Sequence, residues 1–131
     1  MSQARVLVAV SAGGALGAAA RWSGGQAWPV QPGGFPWPTL GINVAGCFAI
    51  GVLMVFVARR VGHLPYLRPF LGVGVLGGFT TFSTFALETV QLTDGHLLTA
   101  VVYLLVTPVL AVAAALVGTR LTSAAFSGGA A

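Results

Sequence analysis

A chain of 131 residues has room for one domain. Only 6% of its residues are charged, 56% are hydrophobic, and its mean hydropathy is +0.93. A soluble globule clothes its surface with about a quarter charged residues and a disordered chain needs low hydrophobicity, so both are excluded. The net charge of +4 comes from six arginines, without lysine, against Glu88 and Asp94, which is too thin and scattered for a nucleic-acid footprint. Cys47, alone in an apolar run, excludes a disulfide framework and a cysteine-based metal site. What remains is a small all-α integral membrane protein.

Uncharged apolar stretches run over Val6–Ala20, Pro38–Ala58, Pro69–Leu87 and Leu97–Thr119. A helix rising 1.5 Å per residue needs about 20 residues to cross roughly 30 Å of hydrocarbon. With their flanks, these stretches predict four spans in one domain, at about 4–26, 38–60, 67–92 and 96–120. The first is not read as a cleaved signal, because Ala18-Ala19-Ala20 runs straight into Arg21 and Trp22 and its glycines weaken a signal core. Gly13, Gly17 and Arg21 recur every four residues and so share a helix face, where glycines let another backbone approach. Arg21 either snorkels to the interface or lends positive potential to a vestibule that draws anions.

Ser23 to Trp37 holds three of the seven prolines and four glycines, too many for a helix. Trp22, Trp28 and Trp37 all fall at or beside this connection, at the depth where indoles settle. Asn43, about five residues into the second span, must find partners: it is helix-to-helix glue or a donor to a permeating anion. Arg59 to Arg68 forms a short polar connection with Gly62 and Pro65.

The third span is the informative one. Gly77-Gly78-Phe79-Thr80-Thr81-Phe82-Ser83-Thr84-Phe85 places two glycines and then four hydroxyl residues among aromatics at its middle. Glycine costs about 1 kcal/mol against alanine in a helix, so a break is expected there. Non-helical backbone at membrane depth survives only inside protein or along a cavity, and freed carbonyls commonly bind a cation. Phe82 and Phe85 share a face, either as packing or as ring edges that meet an anion. Glu88 ends the span, either at the interface or paired with Arg21 or a hydroxyl. Thr93-Asp94-Gly95 reads as a tight turn, with Thr93 or Asp94 capping the fourth helix. Arg5, Arg59, Arg60, Arg68 and Arg120 fall on the side of both termini, which the positive-inside rule places in the cytoplasm.

The Thr-Thr-Phe-Ser-Thr-Phe string, followed by Glu88-Thr89, resembles the Fluc (CrcB) family of fluoride channels. So do Thr39-Leu40 and Asn43 in Thr-Leu-Gly-Ile-Asn-Val-Ala-Gly-Cys-Phe, and Gly13 to Arg21. The resemblance covers most of the chain and implies an antiparallel dual-topology dimer with two narrow fluoride pores. It implies a third helix broken at the membrane centre, where carbonyls matching Gly77 and Thr80 from both subunits hold one structural Na⁺ that is not transported. Phe82 and Phe85 would line the pores, Asn43, Ser83 and Thr84 would complete a polar track, and Arg21 would belong to the vestibule. Glu88 and Thr107 are added to the candidate anion path. On the fourth helix Tyr103 and Thr107 stand where the family places a tyrosine and a small hydroxyl, but Pro108 follows at once and Leu110 replaces something smaller. The arginine bias of five to at most one also departs from the balance that dual topology needs, so the partner is either a second copy or an oppositely oriented relative.

The function implied is passive export of cytoplasmic fluoride across the plasma membrane, with fluoride and lipid as partners, no nucleic acid and no enzyme activity. The rival is a small four-helix proton-coupled exporter of cationic compounds. That coupling needs an intramembrane carboxylate, and the first span has none.

Overall fold

The computed structural model describes residues 2–59 and 66–128. Arg60, Gly62 and Pro65, which enter the reading of the second connection, lie outside the described residues. The chain forms α1 (Gln3–Ala27), α2 (Trp37–Arg59), a π-helical segment (Arg68–Leu76) running into the single turn α3 (Gly77–Phe79), α4 (Phe82–Leu92) and α5 (Leu97–Gly128). Four helical stretches, Gln3–Ala27, Trp37–Arg59, Arg68–Leu92 and Leu97–Ser127, are long and apolar enough to cross a membrane. Large apolar side chains point outward, Leu98 at 78% exposure among them, whereas Thr39, Asn43 and Thr107 are buried. That inversion suits lipid as the solvent, where the interior rather than the surface must satisfy polar groups.

The helices pair by small residues. Gly13 and Gly17 are buried, and a Cβ on either would strike a backbone carbonyl of the third span, Phe70's or Val75's. Arg21 continues that face one turn on and donates Nε–H to the Gly78 carbonyl at 3.1 Å. Residue numbers rise together along this seam, so α1 runs parallel to the third span. A second seam joins α2 to α5, where a Cβ on Gly51 would strike the Ala115 carbonyl and one on Gly118 that of Phe48. These two helices are parallel as well, and Phe56 meets Phe126 edge-on with centroids 5.1 Å apart. Between the pairs the direction reverses: Thr39 reaches Glu88 while Gly72 lies against Leu53 and Met54. Arg5, Arg59, Arg68 and Arg120 therefore share one end of the bundle, and Glu88 and Asp94 lie toward the other.

Three expectations are corrected. The first helix continues through Ser23–Ala27, because the prolines of that connection begin only at Pro29 and Gly24 is supported by the Ile42 side chain. The last helix runs past 120 to Gly128. There Thr119, Thr122 and Ser127 return their hydroxyls to carbonyls four residues back, which hides polarity within the helix. Thr93 caps the end of α4 rather than the start of α5, its Oγ1 donating to the Val90 carbonyl at 2.6 Å. The turn that follows uses Gly95 at φ 82°.

The α1 seam is directly testable. Gly17→Leu, which drives a side chain into backbone, should cost about 3 kcal/mol or more. Gly14→Ala, where a Cβ meets nothing within 4 Å, should cost nothing and gain up to about 1 kcal/mol of helix propensity. Thermal unfolding in detergent reads both, and equal melting of the two variants would contradict the seam.

Candidate functional site

Thr80 N–H still reaches the Leu76 carbonyl at 3.0 Å, and helical hydrogen bonding stops at Thr81. Both residues have extended dihedrals, φ −74° and ψ 154° for Thr80 and φ −146° and ψ 123° for Thr81. Asn43 of α2 closes on the gap. Its Oδ1 accepts the Thr81 N–H at 2.8 Å and its Nδ2 donates to the Thr81 carbonyl at 3.0 Å. A primary amide matches one extended residue in both directions, because it carries a donor and an acceptor side by side. Gly46, almost one turn beyond Asn43, is glycine because a Cβ there would strike the Thr80 methyl.

The break diverts two donors. In a continuous helix Thr81 N–H would serve the Gly77 carbonyl and Thr84 N–H the Thr80 carbonyl. The first goes to Asn43, and the second goes to Thr81 Oγ1, 3.1 Å away, which caps α4. In all, the break displaces the helical donors of four successive carbonyls, Gly77 to Thr80. The Gly78 carbonyl accepts Arg21 Nε–H instead, and Gly77 and Thr80 are the two expected to offer carbonyls to a cation. Nearby, Thr81 Oγ1 donates to Thr84 Oγ1 at 3.0 Å and lies 3.3 Å from Ser83 Oγ. Thr80 Oγ1 turns back onto the Leu76 carbonyl at 2.9 Å.

Two cavities flank the break. One, of about 290 Å³, is lined by Asn43, Cys47, Thr80, Thr81, Phe82, Phe85 and Thr107, among others. Phe82 is 79% exposed and Phe85 only 5%, with centroids 5.6 Å apart. Thr107 is buried and its Oγ1 has no hydrogen-bond partner among the described residues. The second cavity, of about 340 Å³, brings Arg21, Thr39, Thr81, Thr84 and Glu88 to one wall. Arg21 and Glu88 share it without forming an ion pair. Glu88 instead accepts from Thr39 Oγ1 at 2.8 Å and from the fully buried Tyr103 hydroxyl at 2.7 Å. Of the two partners expected for this carboxylate, Arg21 or a Ser or Thr hydroxyl, the Thr39 hydroxyl is found, and the Tyr103 hydroxyl is a further one that the sequence did not indicate.

Thr39 and Cys47 were not among the candidate residues. Thr39, Asn43 and Cys47 recur every four residues, so one face of α2 supplies all three. The signal was the spacing, but nothing in the sequence said that the face met the third span rather than lipid.

These features define a class: a multi-pass helical membrane protein whose third span is interrupted and clamped by an amide from the second. The chain belongs to the CrcB family, whose model, described as "CrcB-like protein, Camphor Resistance (CrcB)", matches residues 8–119. It is similar to the "Fluoride-specific ion channel FluC 1" of Streptomyces coelicolor, 50% identical over 115 residues that cover 86% of this chain and 74% of the relative. It is also similar to the "Fluoride-specific ion channel FluC 2" of Nocardia farcinica, 50% identical over 115 residues, 87% of this chain and 82% of the relative. The "Fluoride-specific ion channel FluC" of Paracoccus denitrificans is 47% identical over 114 residues, 83% of this chain and 87% of the relative.

The clamp makes a stability prediction. Asn43→Leu leaves the Thr81 N–H and carbonyl unpaired at about 1–3 kcal/mol each, so unfolding in detergent should be easier by roughly 2–6 kcal/mol. A loss below about 1 kcal/mol would mean that the amide is dispensable to the break.

Proposed function

We propose that this chain forms a fluoride-selective channel, not an enzyme, through which cytoplasmic fluoride leaves the cell passively. The observation that carries this reading is the interruption at Thr80–Thr81 beside the Phe82–Phe85 ring pair, in a chain whose relatives are named fluoride-specific ion channels. Hydrofluoric acid enters a cell neutral and dissociates inside, so an anion path driven by the membrane potential lowers the trapped ion and its toxicity.

A small anion sheds water only where donors replace it. The Asn43 amide spends one N–H on Thr81 and keeps a second. Thr84 and Thr107 add hydroxyls, one to each cavity, Ser83 Oγ lies 3.3 Å from Thr81 Oγ1, and the rings of Phe82 and Phe85 line the cavity that holds Thr107. Arg21, tied to Gly78 by Nε, keeps its terminal N–H groups for the vestibule it shares with Thr84 and Glu88. Phe82→Ile and Phe85→Ile should each cut fluoride efflux from liposomes at least tenfold with the protein still folded. Parental rates in both variants would remove the rings from the path.

In the proposed assembly the break sits at mid-membrane and two subunits pair antiparallel, either two copies or this chain and an oppositely oriented relative. The exposure of Phe82 supports a covering partner. The Gly77 and Thr80 carbonyls of both subunits would hold one structural Na⁺, whose charge adds positive potential to the anion path. The donor set fits: hard oxygen ligands from backbone that has lost its own donors. Replacing Na⁺ throughout purification and assay with a large organic cation should lower both flux and melting temperature, and Na⁺ should restore them. Equal values in thoroughly Na⁺-free buffer would exclude the ion. The exporter reading is not favoured, since both Glu88 oxygens are engaged by hydroxyls.

A further inference from the structure

At the arginine-bearing end of the bundle, remote from the break, an open groove of about 400 Å³ runs between α2 and α5. Phe56, Leu121, Thr122, Ala125 and Phe126 line it. Phe56 and Phe126 form one wall, edge-on to each other. Thr122 gives its hydroxyl to the Gly118 carbonyl at 2.8 Å, so the polar atom is spent inside the helix. The lining is therefore apolar. At its rim stands Arg59, the last residue of α2, with its guanidinium carbon 5.8 Å from the centre of the Phe126 ring. The side chain is exposed and has no carboxylate partner among the described residues. Neither acidic side chain is within reach, because Glu88 and Asp94 both lie toward the opposite end.

We propose that this groove binds an anionic phospholipid, with an acyl chain against Phe56, Leu121 and Phe126 and the phosphate on Arg59. The assignment follows from complementarity. An apolar trough ending at an exposed guanidinium, with no carboxylate partner among the described residues, at the end of a membrane span, matches a molecule with an apolar chain and an anionic head. A guanidinium offers forked donors that suit phosphate oxygens, and its stacking against Phe126 leaves those N–H groups free at its edge. Arg5, Arg68 and Arg120 at the same end raise the local potential and favour anionic over zwitterionic heads.

The test uses the full chain, delipidated in detergent and titrated by native mass spectrometry. The probes are phosphatidylglycerol, phosphatidylcholine with the same chains, and glycerol 3-phosphate as a head without a chain. Phosphatidylglycerol should bind more tightly than phosphatidylcholine. Arg59→Gln should weaken phosphatidylglycerol about fivefold, the worth of one basic residue at an anionic surface, and leave phosphatidylcholine unchanged. Arg59→Lys should keep most of the preference. Thr122→Trp, which fills the trough, should lower occupancy by both lipids. Equal affinity for the two lipids in the parent overturns the proposal, as does an undiminished preference in Arg59→Gln. Competition by glycerol 3-phosphate at the concentration where phosphatidylglycerol binds would make the site one for a soluble anion. Unchanged lipid occupancy in Thr122→Trp would place the acyl chain elsewhere, and Arg59→Gln, a surface change, decides the matter should the tryptophan variant fail to fold.

Discussion

The paired hydrogen bonds between the Asn43 amide and Thr81 are the interaction on which the rest of the site depends. An extended residue inside an apolar span exposes a donor and an acceptor that lipid cannot satisfy. By taking both, Asn43 makes the break tolerable, and by taking the N–H it also denies the Gly77 carbonyl its helical donor. Thr81 repeats the logic one step further on, capping α4 and releasing the Thr80 carbonyl. Each of these bonds both stabilises the break and removes a helical donor from a carbonyl before it.

That arrangement is held in place by backbone rather than by side-chain bulk. The absence of Cβ atoms at Gly13 and Gly17 brings α1 against the third span, and this proximity lets Arg21 reach the Gly78 carbonyl just ahead of the break. Arg21 consequently serves two ends. Its Nε–H satisfies one carbonyl near the interruption, and the side chain also lines the cavity that holds Thr84 and Glu88.

Much of this was legible in the sequence. The four spans follow from hydropathy alone, and the four-residue rhythm of Gly13, Gly17 and Arg21 identified a face that does meet another backbone. Gly77 and Gly78, read as the weak point, stay helical, and the extended residues are Thr80 and Thr81 of the hydroxyl string. Tertiary partnership was not legible. That Asn43 clamps Thr81, and that Glu88 takes its hydrogen bonds from Thr39 and Tyr103 rather than from Arg21, depends on which helices are neighbours, and hydropathy carries no such information. Helix ends misled for a local reason. Gly24 and Gly25 stay within α1, and α5 continues to Gly128 with the hydroxyls of Thr119, Thr122 and Ser127 satisfied on its own carbonyls.

The pattern of parallel pairs bears on how the chain must fold. Neither major seam joins neighbours in sequence: α1 meets the third span, and α2 waits for α5, with the Thr119 hydroxyl reaching the Gly51 carbonyl across 68 residues. Each helix can be inserted alone, since its own backbone bonds are satisfied within it. Lateral association then has no short hairpin from which to grow, and loop closure makes such distant pairings slow. The α1 glycine face can be matched once the third span is threaded, whereas Gly51 of α2 stays unmatched until α5 arrives, so the two seams close in order and the second closes last.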